Sequence, residues 1–225
     1  MKRILASLIS IFMINTCSNY PQHMLIKNIN QNVESPIVVD KSIKEITRYI
    51  KIDGEIPQII GLSNEKSQNE INSEIVNYTE MWIKENKDAS EKFQPQIPYE
   101  LMASYIVTNN NNNILSFYID YYQFNGGAHG ITNRKAYSID VETSENLNLE
   151  DLFKKGFDYK SYINNIISTE IEKNKDFYFT GKEGFNGIED NQGFFIRDNK
   201  LVIYFDYYKI APYVSGMPEF EIPLK

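Results

Sequence analysis

The alternation of apolar and polar positions divides the chain into strands and two helices. From Lys44 to Ile59 the string EITRYIKIDGEIPQII alternates through Ile46, Tyr49, Ile50, Ile52 and Ile56, with charged residues between them. That period predicts β-structure, with Gly54 marking a bulge or turn. Ser67 to Asn86 changes period. Ile71, Ile75, Tyr78 and Trp82 recur at helical spacing and form one stripe, and Ser67 with Glu70 fits a capping box. Leu101–Thr108 and Ile114–Phe124 predict a hairpin whose loop is the run Asn109–Asn113, because asparagine tolerates positive φ. In Ile114–Phe124 both alternating faces carry large side chains, which predicts a strand covered on both sides.

Arg134–Asp140 predicts another strand, and a polar turn leads from it to Leu149–Phe153. Tyr159–Lys173 predicts a second helix with Tyr162, Ile163, Ile166, Ile167 and Ile171 inward. Residues 174–193 carry Gly181, Gly184, Gly187 and Gly193 and read as loop. Phe194–Ile196 and Leu201–Tyr208 flank Asp198-Asn199, a two-residue hairpin signal, and Glu219–Leu224 closes the chain as a strand. Strands, hairpins and two separated helices predict an α+β fold: antiparallel sheets with one helix per subdomain, two small subdomains packed together. The expected organisation is a signal at 1–17, a tether at 18–40, an N-terminal β-β-α subdomain at 41–98 and a C-terminal α+β subdomain at 99–225.

The N-terminus changes the picture of where this fold works. Lys2 and Arg3 precede an apolar stretch from Ile4 to Ile14, the layout of a secretory signal. Crossing a bilayer takes about 20 apolar residues, more than this stretch offers. Cys17, the single cysteine among 225 residues, sits where the stretch ends. The position resembles a lipoprotein signal, with Cys17 as the lipidated residue and the mature chain anchored to a membrane. Ordinary cleavage nearby, giving a secreted protein, is the alternative. Either way the mature body has no cysteine for a disulfide, so packing must stabilise it.

Composition excludes more than it assigns. The formal charge is −7, from 23 basic and 30 acidic residues, which argues against nucleic acid and permits a basic protein partner. The two histidines are His23, in the tether, and His129. With one histidine and no cysteine in the body, no metal site of the usual nitrogen and sulfur ligands is expected. No phosphate loop or nucleophile elbow occurs, so no catalytic residue and no cofactor is assigned.

Two strings stand out. Phe124-Asn125-Gly126-Gly127-Ala128-His129-Gly130 joins two strands. It reads either as a ligand or catalytic loop with His129 as its polar group, or as a bulged connection with His129 bonded to backbone. Tyr204-Phe205-Asp206-Tyr207-Tyr208-Lys209-Ile210-Ala211-Pro212-Tyr213-Val214-Ser215-Gly216 runs from a strand out into a loop around Pro212. Its tyrosines read either as binding anchors on a rigid loop or as side chains packed on the sheet. The candidate binding residues are Gly126, Gly127, His129, Tyr208, Pro212 and Tyr213.

Taken together, these strings resemble a pair of domains of unknown function found in bacterial extracytoplasmic proteins. Ile50–Trp82, with Pro57, Gly61-Leu62 and Ile71-Asn72, resembles the first. Asn125–Pro223, with GGAHG, Leu149–Phe153, YYKIAPYVSG and EFEIP, resembles the second. The pair occurs in the lysozyme-binding anti-sigma-V factor RsiV and ahead of the catalytic domain of some peptidoglycan deacetylases. Neither a cytoplasmic anti-sigma region nor a deacetylase domain is expected here. The resemblance implies the fold, a place outside the cytoplasm, and a lysozyme-like protein or cell-wall glycan as partner.

Overall fold

The computed structural model describes residues 35–224, so the expected signal, Cys17, His23 and most of the tether lie outside the described residues. Within them, nine strands and two long helices form four layers: helix, sheet, sheet, helix. Strands β1 (Ile37–Ile46), β2 (Ile50–Ile60), β3 (Tyr99–Asn111), β4 (Ile114–Phe124), β5 (Ile131–Asp140) and the short β6 (Glu145–Asn146) make the larger sheet in that order. Strands β7 (Phe194–Arg197), β8 (Lys200–Tyr204) and β9 (Glu219–Ile222) make the smaller one. The fold is α+β, as the pattern predicts. One pair departs from an antiparallel reading: β2 and β3 run parallel, because helix α1 (Glu65–Phe93) carries the chain back between them.

Several boundaries move, each for a local reason. The tether expected through residue 40 already contains the start of β1, whose hairpin with β2 keeps one register from Ile37–Ile60 to Ile46–Lys51. The chain turns at Thr47–Tyr49, not at Gly54. Gly54 sits inside β2, where an added Cβ would fall 2.2 Å from the Ala103 carbonyl oxygen of β3. Helix α1 begins at Asn64, whose side chain accepts from the Lys66 and Ser67 N–H groups, so Ser67 is not the cap. It also runs on to Phe93. The buried stripe continues through Asn86 and Ser90, polar residues that pattern reading discounts but that bond the helix's own Trp82 and Lys87 carbonyls. The loop expected at Asn109–Asn113 shrinks to Asn112-Asn113, at φ 53° and 61°, after a register shift between Val107 and Asn109. Asp198-Asn199 turns the β7–β8 hairpin as expected, at φ 50° and 63°. Strand β8 ends at Tyr204, so Tyr207 and Tyr208 lie in a loop. The larger sheet also continues across residues 98 and 99 through the β2–β3 pair, and the step between sheets comes after Asn146.

Strand β4 shows what organises the layers. Leu115, Phe117, Ile119 and Tyr121 point to α1 and form a core with Ile71, Ile75 and Trp82. The other face of β4 meets the smaller sheet, where Tyr118 and Ala136 pack on Phe195, Val202 and Tyr204. The far face of the smaller sheet packs on helix α2 (Tyr159–Lys173) through Ile163, Ile167, Ile203 and Phe220.

Polar groups fix the contact between sheets. The Ser116 hydroxyl accepts from the Ile196 N–H at 2.9 Å, and the Thr108 hydroxyl donates to the Ile196 carbonyl at 2.5 Å. Arg134, with a side chain 7% exposed, bonds both oxygens of Asp120 at 2.7 and 2.8 Å and reaches Glu219 on β9 at 2.7 Å. Its guanidinium lies 3.7 Å from the centre of the Tyr118 ring. Burial works against this charge, but the Asp120 carboxylate outweighs it and holds the Arg134 pKa above its ordinary value. Removing the guanidinium strands Asp120 at the junction, while Glu219 keeps Arg197 at 2.7 Å, and breaking a buried pair in this way costs about 3–5 kcal/mol. Arg134→Ala is therefore expected to lower stability by that order in urea unfolding, and Arg134→Met by less than Arg134→Ala.

Candidate functional site

The two distinctive strings, far apart in sequence, meet at one end of this junction. The loop after β4 turns through Gly126 and Gly127, at φ 89° and 101°, where no atom would crowd a Cβ. Those two glycines serve backbone conformation. Gly130 serves space instead: an added Cβ would fall 2.4 Å from the Tyr122 ring. Between them stands His129, exposed, with Nδ1 2.8 Å from the Gly130 carbonyl. A carbonyl can only accept, so in the neutral ring Nδ1 carries the proton and Nε2 accepts from the Tyr208 hydroxyl at 3.2 Å.

The second string supplies the ring partners. The Tyr213 ring stacks on His129 with centroids 3.9 Å apart and planes inclined 22°, and its hydroxyl donates to the Gly130 carbonyl at 3.1 Å. Tyr207 stacks on Tyr213 at 4.8 Å, and Tyr208 approaches it at 5.7 Å. Burial, with Tyr213 and Asp120 nearby, pushes the Tyr207 hydroxyl pKa up. Pro212 leads into a tight turn, Tyr213–Ser215, closed by Gly216 at φ 71°. The Ser215 hydroxyl donates to the Phe177 carbonyl and ties the turn down. Val214, 90% exposed, projects at its tip.

Of the candidate residues, His129, Tyr208 and Tyr213 form one contiguous stack. Pro212 sets the loop, and Gly126 and Gly127 shape the approach. Reading the sequence missed Val214, Tyr207 and the separate role of Gly130. Tyr207 lies within the tyrosine run, but nothing in the pattern distinguishes it from its neighbours. Tyr208 adopts φ 63°, a left-handed conformation that a bulky side chain occupies at a cost. The ring nitrogens of His129 meet the Gly130 carbonyl and the Tyr208 hydroxyl, and no carboxylate is among these partners. No group of three or more histidine, cysteine or carboxylate side chains suited to a metal occurs among the described residues.

Beside the stack, between β5 and the smaller sheet, lies a polar cleft of about 470 Å³. Asp206 lines it, and burial pushes its carboxyl pKa up against the opposing pull of the Arg134 N–H and charge.

Comparison with known proteins places both halves. Residues 43–132 match the family model described as deacetylase PdaC, and residues 150–225 match that described as protein of unknown function DUF3298. Peptidoglycan-N-acetylmuramic acid deacetylase PdaC of Bacillus subtilis is 30% identical over 132 residues, covering 57% of this chain and 28% of that protein. Anti-sigma-V factor RsiV of the same organism is 29% identical over 194 residues, covering 80% of this chain and 65% of that one. The chain thus spans less than two thirds of either relative. A DUF3298-family structure from Bacteroides fragilis superposes with a TM-score of 0.62 at 20% identity, covering 86% of this chain and 92% of that one. Another from Pseudomonas aeruginosa gives 0.52 at 15%, covering 84% and 89%. At those identities the structures establish the fold alone. The resemblance carried by the two strings holds.

The stack makes separable demands on its residues. Gly130→Ala must displace Tyr122 and is expected to destabilise the fold and disturb the His129 ring signals in NMR spectra. Tyr208→Gly relieves left-handed strain while losing the His129 bond, so its stability should stay within about 1 kcal/mol of the parent by thermal unfolding.

Proposed function

We propose that this chain is a non-catalytic extracytoplasmic binding domain, anchored at the cell surface through Cys17, that docks a lysozyme-like basic protein. The observation that carries this reading is the stack in which exposed His129 and Tyr208 meet half-buried Tyr213, beside the projecting tip at Val214. Large rings held in place before contact lose little freedom on binding, which is why tyrosines serve so often as interface anchors. A projecting tip suits a concave surface on the partner, and the formal charge of −7 suits a cationic one. Kinship with RsiV supports a partner-binding role over most of this chain.

Calorimetry with hen lysozyme at low and moderate salt tests the assignment. Saturable binding is expected, weakened at least about tenfold by Tyr213→Ala and also by Val214→Asp, the latter with the thermal midpoint unchanged because Val214 is exposed. Absence of heat at high micromolar concentration removes this partner. Anchoring is tested separately: Cys17→Ser is expected to move the protein from the membrane fraction into the medium.

The second reading is a cell-wall glycan ligand. The observation favouring it is the polar cleft beside the stack, placed where the two halves of the chain meet, since ligand sites favour such junctions. His129 as a catalytic residue is the weakest reading. A His129→Ala protein that keeps every measurable activity ends it.

A further inference from the structure

The cleft has features that the aromatic stack does not use. One wall is the outer edge of β5. Strand β6 pairs with Ile139 and Asp140, so among the described residues the edge from Ile131 to Ser138 has no neighbouring strand. Side chains close it instead. The Tyr204 hydroxyl donates to the Arg134 carbonyl at 3.1 Å, the Asp206 carboxylate accepts from the Arg134 N–H, and Asn146 Oδ1 accepts from the Ser138 N–H. An extended peptide therefore cannot add as a further strand here without expelling Tyr204 and Asp206. What remains open is a polar chamber with separate donors and acceptors.

Its cations differ in their commitments. Arg134 is held by Asp120 and Glu219, and Lys209 by Glu189 at 2.7 Å. Lys135 has no carboxylate partner among the described residues. Lys135 lines both the cleft and the groove along α1, and its ammonium rests 4.1 Å from the centre of the Tyr78 ring on the groove side, within a side-chain rotation of the cleft. Asp206 offers acceptors on the same wall as the loop. Glu74 offers them on the helix side, where it already accepts from the Tyr137 hydroxyl at 3.1 Å. The Asn191 amide stands on the facing loop. One free cation among carboxylates and amides fits a ligand with a carboxylate of its own and hydroxyl or amide groups around it.

We infer that this cleft binds an acidic saccharide, with Lys135 as the anchor for its carboxylate. The inference rests on the glycan reading above and deepens it. It is independent of the protein partner, whose contact face lies on the loop tip.

The full chain is titrated calorimetrically with two probes: a hyaluronan tetrasaccharide, which carries carboxylates, and chitotetraose, which is neutral. The acidic probe should bind saturably and about tenfold more tightly than the neutral one. Lys135→Gln should remove that advantage, Lys135→Arg should keep most of it, and Asn191→Asp, an exposed change, should also lower it. Equal binding of both probes, or binding indifferent to Lys135→Gln, overturns the inference while leaving the glycan reading in place. Failure of both probes removes the two together. Tighter binding of an acidic hexapeptide than of either sugar, lost in Lys135→Gln, assigns the cleft to peptides and also overturns it.

Discussion

The buried guanidinium of Arg134 is the point on which the two sheets are aligned. Taking an ion out of water costs several kcal/mol, and only good geometry repays it. Here the geometry is complete: two bonds to Asp120 on β4, one to Glu219 on β9, and the Tyr118 ring beneath. Because Asp120 and Arg134 are cross-strand neighbours, the larger sheet presents a preformed ion pair, and the smaller sheet docks by supplying Glu219. An apolar contact of equal area would tolerate sliding. A bidentate pair with a third bond does not, and the bonds from Ser116 and Thr108 to Ile196 add a second fixed point.

The candidate site inherits its precision from this junction. Gly130 lies a few residues before Arg134, and the loop bearing Tyr208 and Tyr213 leaves β8 at Tyr204 and returns to β9 at Glu219. Tyr204 bonds the Arg134 carbonyl and Glu219 bonds the Arg134 side chain. Both ends of the loop are thus pinned to the residue that also positions the His129 string. The stack of His129 on Tyr213 follows from two loops hung on one anchor, and their own few hydrogen bonds need only make the final adjustment.

What the sequence made legible is what periodicity and turn chemistry encode. Helix α2, the Asp198-Asn199 turn and the double burial of β4 all follow from local pattern. The parallel β2–β3 pair was not legible, because direction depends on where α1 returns the chain. The last turns of α1 were hidden by Asn86 and Ser90, which are satisfied by the helix itself and, at Asn86, by Asn125 from the glycine loop. Arg134 was hidden most thoroughly. An arginine in a strand reads as a solvent-facing residue, and only its register opposite Asp120, known once the strands are paired, says otherwise. At the site, the glycines and tyrosines announced themselves by composition. Their meeting in space needed the fold.

Tyr208 carries the last step. Elsewhere in the described residues the non-glycine left-handed positions carry polar side chains without a ring: Gln94, Asn112, Asn113, Ser144, Asp198 and Asn199. At position 208 the chain places a tyrosine, 48% exposed, whose hydroxyl meets His129. A loop needing only to turn would carry glycine or asparagine there at lower cost. The structure sustains that strain because the surrounding stack over-determines it, and such strain concentrates where a surface must be held ready. The aromatic face is therefore held in one arrangement by its own contacts, and the buried ion pair of Arg134 fixes the strand ends from which both of its loops depart.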